Sequence, residues 1–211
     1  MLFVDKKDGR YNPMSAKVYS DVFAKQEIDS IIDFFESRPV AAQDQYSKNK
    51  NLEYQITEDF SYQLLNPKIT EILGEHEFAT GTYKECVKPY AVHVDAYKAH
   101  QGTGTITTFA TAQKHNKALL IPLVEGPVYK TVTFKCYSDT NQIKQEWLQD
   151  KNELHFSDYS HCNRNITQLP VDIEYIWRIG DILAWDRDQL HASADFTRFG
   201  VTKKFLILFI A

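Results

Sequence analysis

The chain has 211 residues, 43% of them hydrophobic and 25% charged, with a formal net charge of −4. That length suits one domain with a substantial core. The interleaving of acidic and basic residues excludes general nucleic-acid binding, which rests on neutralising phosphates.

The start, "MLFVDKKDGRYN", brings charge after four apolar residues and predicts no secretory signal. In "SDVFAKQEIDSIIDFFESRP" the apolar residues recur at helical spacing, and Pro39 closes the predicted helix. The polar "AAQDQYSKNKNLEYQ" reads as a surface loop. A second helix is predicted at "NPKITEILGE", with Asn66 as N-cap, Pro67 in the first turn and Gly74 as C-terminal cap.

After about residue 78 the pattern changes to short runs rich in Val, Ile, Thr, Tyr and Phe with turn-like breaks. These runs predict strands over 81–86, 89–95, 105–111, 118–124, 130–137, 171–178, 182–186 and 203–210. Many short strands point to a β-sandwich or jelly roll rather than a parallel sheet. The fold class expected is α+β: residues 1–211 form a single domain, 1–78 being a helical buttress with loops and 79–211 the β core. Insertions near 96–105 and 138–170 interrupt the core, and loops of that length are often lids or binding segments. His100 and His161 are the histidines in or near these insertions that would reach an entrance or a substrate.

"FLILFIA", the longest apolar run, is too short to cross a bilayer, so no membrane span is expected. Cys86, Cys136 and Cys162 are odd in number and widely spaced, which fits reduced thiols in a cytoplasmic protein.

The chemistry-bearing pattern begins in "KPYAVHVDAYKAH". Residues two apart in a strand share a face, so His93 and Asp95 would project an imidazole and a carboxylate side by side. A hundred residues on, "IWRIGDILAWDRDQLHASADF" has a Gly180-Asp181 turn, an apolar strand and then His191. The last strand, "VTKKFLILFIA", opens on two lysines, and a buried ammonium needs an anion. Two histidines and one carboxylate match the facial triad, which occupies one side of an octahedral metal and leaves three positions open for chemistry. Arg187 would meet an anionic substrate or pair with Asp186 or Asp188, and Arg198 would lie in a solvated loop.

In "YAVHVDAY", "ALLIPL", "TVTF", "GDILAWDRDQLHAS" and "GVTKKFLILF", taken in that order, the chain resembles the Fe(II)/2-oxoglutarate-dependent dioxygenases, most closely the phytanoyl-CoA dioxygenase-like group. The resemblance covers residues from about 80 to 211 and implies a double-stranded β-helix (jelly-roll, cupin-like) core with N-terminal helices packed on it. It further implies that His93, Asp95 and His191 hold Fe(II) and act as the catalytic centre. A cation on the last strand would bind the distal carboxylate of 2-oxoglutarate. Family register favours Lys204, which shares a strand face with Leu206 and Leu208, leaving Lys203 outward; Ser193 would bond the same carboxylate. The implied activity is hydroxylation of a small-molecule substrate by dioxygen, with release of succinate and CO2. Asp95 stands where related halogenases carry a small residue, which argues against halogenation. A cupin-like metalloenzyme that does not use 2-oxoglutarate, and a non-catalytic jelly-roll binding module, are the alternatives.

Overall fold

A computed structural model describes residues 15–37, 52–56, 60–76, 78–95, 117–138 and 142–210. In chain order these form β1 (Lys17–Tyr19), α1 (Lys25–Glu36), β2 (Leu52–Ile56), α2 (Phe60–Leu73), β3 (Phe78–Cys86), β4 (Lys117–Pro122), β5 (Lys130–Tyr137), β6 (Val171–Ile176), β7 (Ile182–Asp186), β8 (Gln189–Ser193) and β9 (Lys203–Ile210). The strands make two antiparallel sheets, a larger one in the order β1-β7-β4-β9-β3-β2 and a smaller one in the order β6-β5-β8.

Apolar side chains hold these layers together in three clusters. On one face of the larger sheet, Ile28, Ile31 and Phe35 of α1 and Leu65 and Ile69 of α2 pack on Leu119, Leu206, Leu208 and Ile210. On its other face, Leu120, Leu183, Trp185, Phe205 and Ile207 meet Tyr175 and Trp177. The smaller sheet offers Val132, Phe134, Leu190 and Ala192 to Leu154, Tyr159, Cys162, Ile166 and Leu169 of the segment before β6. β9 is therefore covered on both sides, which is why its sequence is an unbroken apolar run rather than an alternation.

The Gly180-Asp181 turn is present, with Gly180 at φ +94°. A Cβ there would lie 2.5 Å from the Phe23 carbonyl oxygen. The Gly180 carbonyl in turn accepts the Val22 and Phe23 N–H groups, at 2.8 and 3.0 Å, which ties the approach to α1 onto β7.

Several expectations are corrected. α2 begins at Phe60, so Pro67 lies inside it and Asn66 is no N-cap. The missing Pro67 N–H is outweighed by burial of Leu65 and Ile69 on either side of it. Gly74 does end the helix, at φ +83°. The first 78 residues are not only helical, because β1 and β2 form the two edges of the larger sheet; Tyr54 and Ile56 of β2 are buried against α1 and β3. Residues 89–95 are no strand: the segment crosses the open edge of β8 with one isolated bridge, His93 to His191. The predicted strand over 105–111, Pro39, His100 and the 96–105 insertion lie outside the described residues.

From residue 142 on, the second insertion is a packed cover. It contains short 3-10 turns at Gln145–Trp147, Phe156–Tyr159 and Arg164–Gln168. Asn152 staples it: its Nδ2 donates to the carbonyls of Ile166 (2.9 Å) and Leu169 (2.7 Å), and its Oδ1 accepts from Leu154 N–H (3.0 Å). No helix among the described residues is long and apolar enough to cross a membrane.

Candidate metal centre

Three paired contacts dock residues 90–95 along β8 and the turn before it. Ser193 N–H donates to the Tyr90 carbonyl (3.2 Å) while Tyr90 N–H donates to Ser193 Oγ (3.0 Å). His93 and His191 exchange both backbone bonds at 3.0 Å. Asp95 N–H donates to the Arg187 carbonyl (2.8 Å), and Arg187 Nη2 donates back to the Asp95 carbonyl (2.9 Å). Arg187 is buried, with its guanidinium 4.4 Å above the Phe209 ring centroid. It thus anchors the segment that carries His93 and Asp95, a role that replaces the expected pairing with Asp186 or Asp188.

These contacts bring His93, Asp95 and His191 together, with one ligand atom from each within 4.8 Å of the others. The imidazole centroids are 4.1 Å apart, and His191 Nε2 is 3.6 Å from Asp95 Oδ2. Each Nδ1 lies against a backbone carbonyl, His93 at 2.7 Å from Ala91 O and His191 at 3.0 Å from Gln189 O. A carbonyl only accepts, so both Nδ1 atoms carry the proton and both Nε2 lone pairs are left for a metal. Desolvation, reinforced by the neighbouring His191, pushes the His93 imidazole down to about 4, so it is neutral at physiological pH. Among the described residues this is the only such group of three donors.

The triad opens into a cavity of about 510 Å³, including its mouth, between the two sheets. Leu120, Trp185, Phe205 and Ile207 supply its apolar walls, and Lys203, Ser193, Thr131 and Lys84 its polar groups. Lys203 is 2% exposed and has no carboxylate partner among the described residues; its Nζ sits 4.0 Å from the Trp177 ring centroid. Burial pushes this ammonium down to about 7 against the opposing pull of the Cys86 thiol. Lys204 is not in the cavity. Its Nζ is 2.5 Å from Glu36 Oε1 and 3.9 Å from Glu85 Oε2, on the helix-covered face. The correction has a simple cause: Lys204 does share its face with Leu206 and Leu208, but that face packs on α1 and α2, whereas Lys203, Phe205, Ile207 and Phe209 line the cavity.

The remaining candidates lie elsewhere. His161 Nε2 donates to the Tyr90 carbonyl (3.2 Å), and the residue lines a separate surface groove with Lys88 and Asp195. Arg198 is held by Asp158 (2.5 Å) and the Ser157 carbonyl (3.0 Å). Sequence reasoning passed over Lys84, which lines the cavity and pairs with Glu53 at 2.9 Å; only the β2–β3–β9 register reveals it. Trp185, besides lining the cavity, donates its indole N–H to Asp95 Oδ2 at 3.2 Å.

Neither protein-family models nor curated protein sequences match the chain. Solved structures do. HygX from Streptomyces hygroscopicus, with nickel and 2-oxoglutarate bound, superposes with a TM-score of 0.58 at 12% identity, covering 93% of this chain and 82% of HygX. The α-ketoglutarate-dependent epimerase SnoN from nogalamycin biosynthesis gives 0.59 at 9% identity over 93% and 77% of the two chains. A 2OG-Fe(II) oxygenase family oxidoreductase from Burkholderia pseudomallei gives 0.57 at 10% over 93% and 84%. The chain has the fold of the 2-oxoglutarate-dependent oxygenases. Within this oxygenase fold, the donor set fits a divalent metal: two imidazoles with free Nε2 lone pairs and one carboxylate, an N/O set suited to iron or nickel.

Proposed function

We propose that the protein is an Fe(II)- and 2-oxoglutarate-dependent oxygenase that hydroxylates a C–H bond of a small-molecule substrate, yielding succinate and CO2. The observation that carries this reading is the convergence on one cavity of His93, Asp95, His191 and a Lys203 that has no carboxylate partner among the described residues. His93 Nε2, His191 Nε2 and one Asp95 oxygen would hold the metal. With 2-oxoglutarate, that metal supplies dioxygen activation and C–H oxidation.

The protein's own groups receive and orient the reactants. The Lys203 ammonium takes the distal carboxylate of the co-substrate as a point charge and loses the penalty of its unpaired burial. Ser193 Oγ already accepts from Tyr90 N–H, so its own O–H is free to donate to that carboxylate. Leu120, Phe205 and Ile207 exclude water around the ion pair and strengthen it.

The finer assignments belong to the same reading. The two facing sheets constitute a double-stranded β-helix core over residues 79–211 of a single 1–211 domain. The Gly180-Asp181 turn and the lysine-led last strand support a reading of the chain as akin to the phytanoyl-CoA dioxygenase-like group. A small substrate accords with HygX, which has been solved with hygromycin B bound. Three free cysteines accord with a reducing, cytoplasmic setting.

An anaerobic titration of the apoprotein with Fe(II) and then 2-oxoglutarate tests this. A visible charge-transfer band in the wild type that is absent in a folded His191→Ala variant is the expected result. Iron binding without a band would point to a cupin-like metalloenzyme, and no iron binding to a non-catalytic binding module.

A further inference from the structure

We propose that Trp185 is a positioning residue of the metal centre: its indole N–H locks the Asp95 carboxylate in the orientation that faces the two imidazoles. This rests on the reading that the triad binds a metal.

Asp95 has its main chain fixed twice, by its own N–H to Arg187 O and by Arg187 Nη2 to its carbonyl. What those bonds leave free is the side chain, whose terminal carboxylate torsion is broad and roughly two-fold for aspartate. Trp185 fills that gap. It is 2% exposed, and a buried indole N–H requires an acceptor. Its partner is Asp95 Oδ2 at 3.2 Å, the same oxygen that stands 3.6 Å from His191 Nε2. Among the described residues Trp185 is the one side chain that donates to this carboxylate. The indole also packs against His191, with ring centroids 4.8 Å apart, so it contacts two of the three ligands.

The platform beneath it is rigid. Trp185 lies on β7, opposite Ala118 of β4 and between β4 and β1 in the larger sheet. Trp177, the other buried indole, sends its N–H to Thr131 Oγ1 at 2.9 Å, so the two residues divide the work. Trp177 braces the wall under Lys203, and Trp185 aims a ligand. A carboxylate free to rotate could chelate through both oxygens and take up a position that the open side of the triad leaves for reactants. The bond from Trp185 opposes that rotation.

The experiment titrates apoprotein with Co(II) alone, following its visible absorption, for wild type, Trp185→Phe and Trp185→Leu. Both variants remove the N–H while keeping an apolar group. The expected result is a Kd for Co(II) raised about 10- to 100-fold, with a changed band intensity reporting altered coordination. A folded variant with wild-type affinity and a wild-type band overturns the proposal. A second measurement does not depend on those variants folding: in indole ¹H–¹⁵N spectra of the apoprotein, Asp95→Ala should shift the Trp185 N–H resonance and leave that of Trp177 in place. An unmoved Trp185 resonance equally overturns it. Wild type that binds no Co(II) would instead sink the metal-centre reading, and the inference with it.

Discussion

Lys203 and Lys204 are adjacent in the chain and lie on opposite sides of the larger sheet: Lys203 Nζ is 4.0 Å from the Trp177 ring inside the cavity, and Lys204 Nζ is 2.5 Å from Glu36 against α1. The first is a buried cation without a carboxylate among the described residues; the second is a partly exposed member of an ion-pair cluster. Their substitutions should separate cleanly. Lys203→Met is expected to raise the 2-oxoglutarate Kd at least about 30-fold, the cost of truncating one partner of a buried charge pair. The same change should stabilise the apoprotein by about 1–4 kcal/mol, because it removes an uncompensated buried charge. Lys204→Met should leave the co-substrate Kd unchanged and lower stability by under about 1 kcal/mol. Calorimetric titration and urea unfolding of both variants check this.

Lys203 also sets a pH dependence. Its ordinary value of 10.5 falls to about 7 in the folded protein, so above neutrality the unfolded chain carries a proton that the native cavity does not. Stability of the apoprotein should therefore rise with pH from about 7 toward 10.5, the window between the two values. Co-substrate affinity should move the other way. A bound carboxylate needs the ammonium, so the apparent Kd for 2-oxoglutarate should climb toward about tenfold per pH unit above 7. Titrations from pH 6 to 9 on wild type and Lys203→Met would show the slope in the first and its loss in the second.

Gly180 is the position where backbone geometry is least forgiving. A methyl group there meets the Phe23 carbonyl at 2.5 Å, and φ of +94° is itself unfavourable for alanine. Gly180→Ala is expected to destabilise the protein by at least about 2 kcal/mol, since clash and strain add. A lowered urea midpoint with an unchanged m-value is the measurement.

Asn152 should govern the cover over the smaller sheet. Replacing it with alanine strands the Leu169 carbonyl and the Leu154 N–H, at about 1–3 kcal/mol for each group that water cannot reach, while the Ile166 carbonyl keeps the Leu169 N–H. Asn152→Ala is expected to cost about 2–4 kcal/mol in total and to raise hydrogen exchange in residues 142–170 more than in β4 or β9. Uniform exchange across all three would mean that the segment does not open as a unit.

Strand positions were read most accurately where both faces are buried. The predicted 130–137, 182–186 and 203–210 coincide with β5, β7 and β9, because runs of mostly buried, β-favouring residues bounded by turns leave little choice of ends. Edge elements were missed for the opposite reason. β1 and β2 have few buried positions, and their pairing with β7 and β3 is a long-range choice that local composition does not encode. Pro67 misled in a similar way: its local preference for a first turn yields to burial of Leu65 and Ile69.

By itself the sequence supplied the three candidate metal donors and their order, His93, Asp95 and His191, along with the tight turn at Gly180. These follow from side-chain chemistry and from backbone conformations that few residues tolerate. Only the tertiary structure decided which lysine enters the cavity and what holds the ligands in place. Alternation along β9 puts Lys203 and Lys204 on opposite faces, but naming the cavity face requires knowing that α1 and α2 cover the other. The clamp of Arg187 on Asp95, and the bond from Trp185, join residues about ninety apart in the chain. They form because a docked segment without strand structure of its own must satisfy its buried polar groups on the neighbouring hairpin.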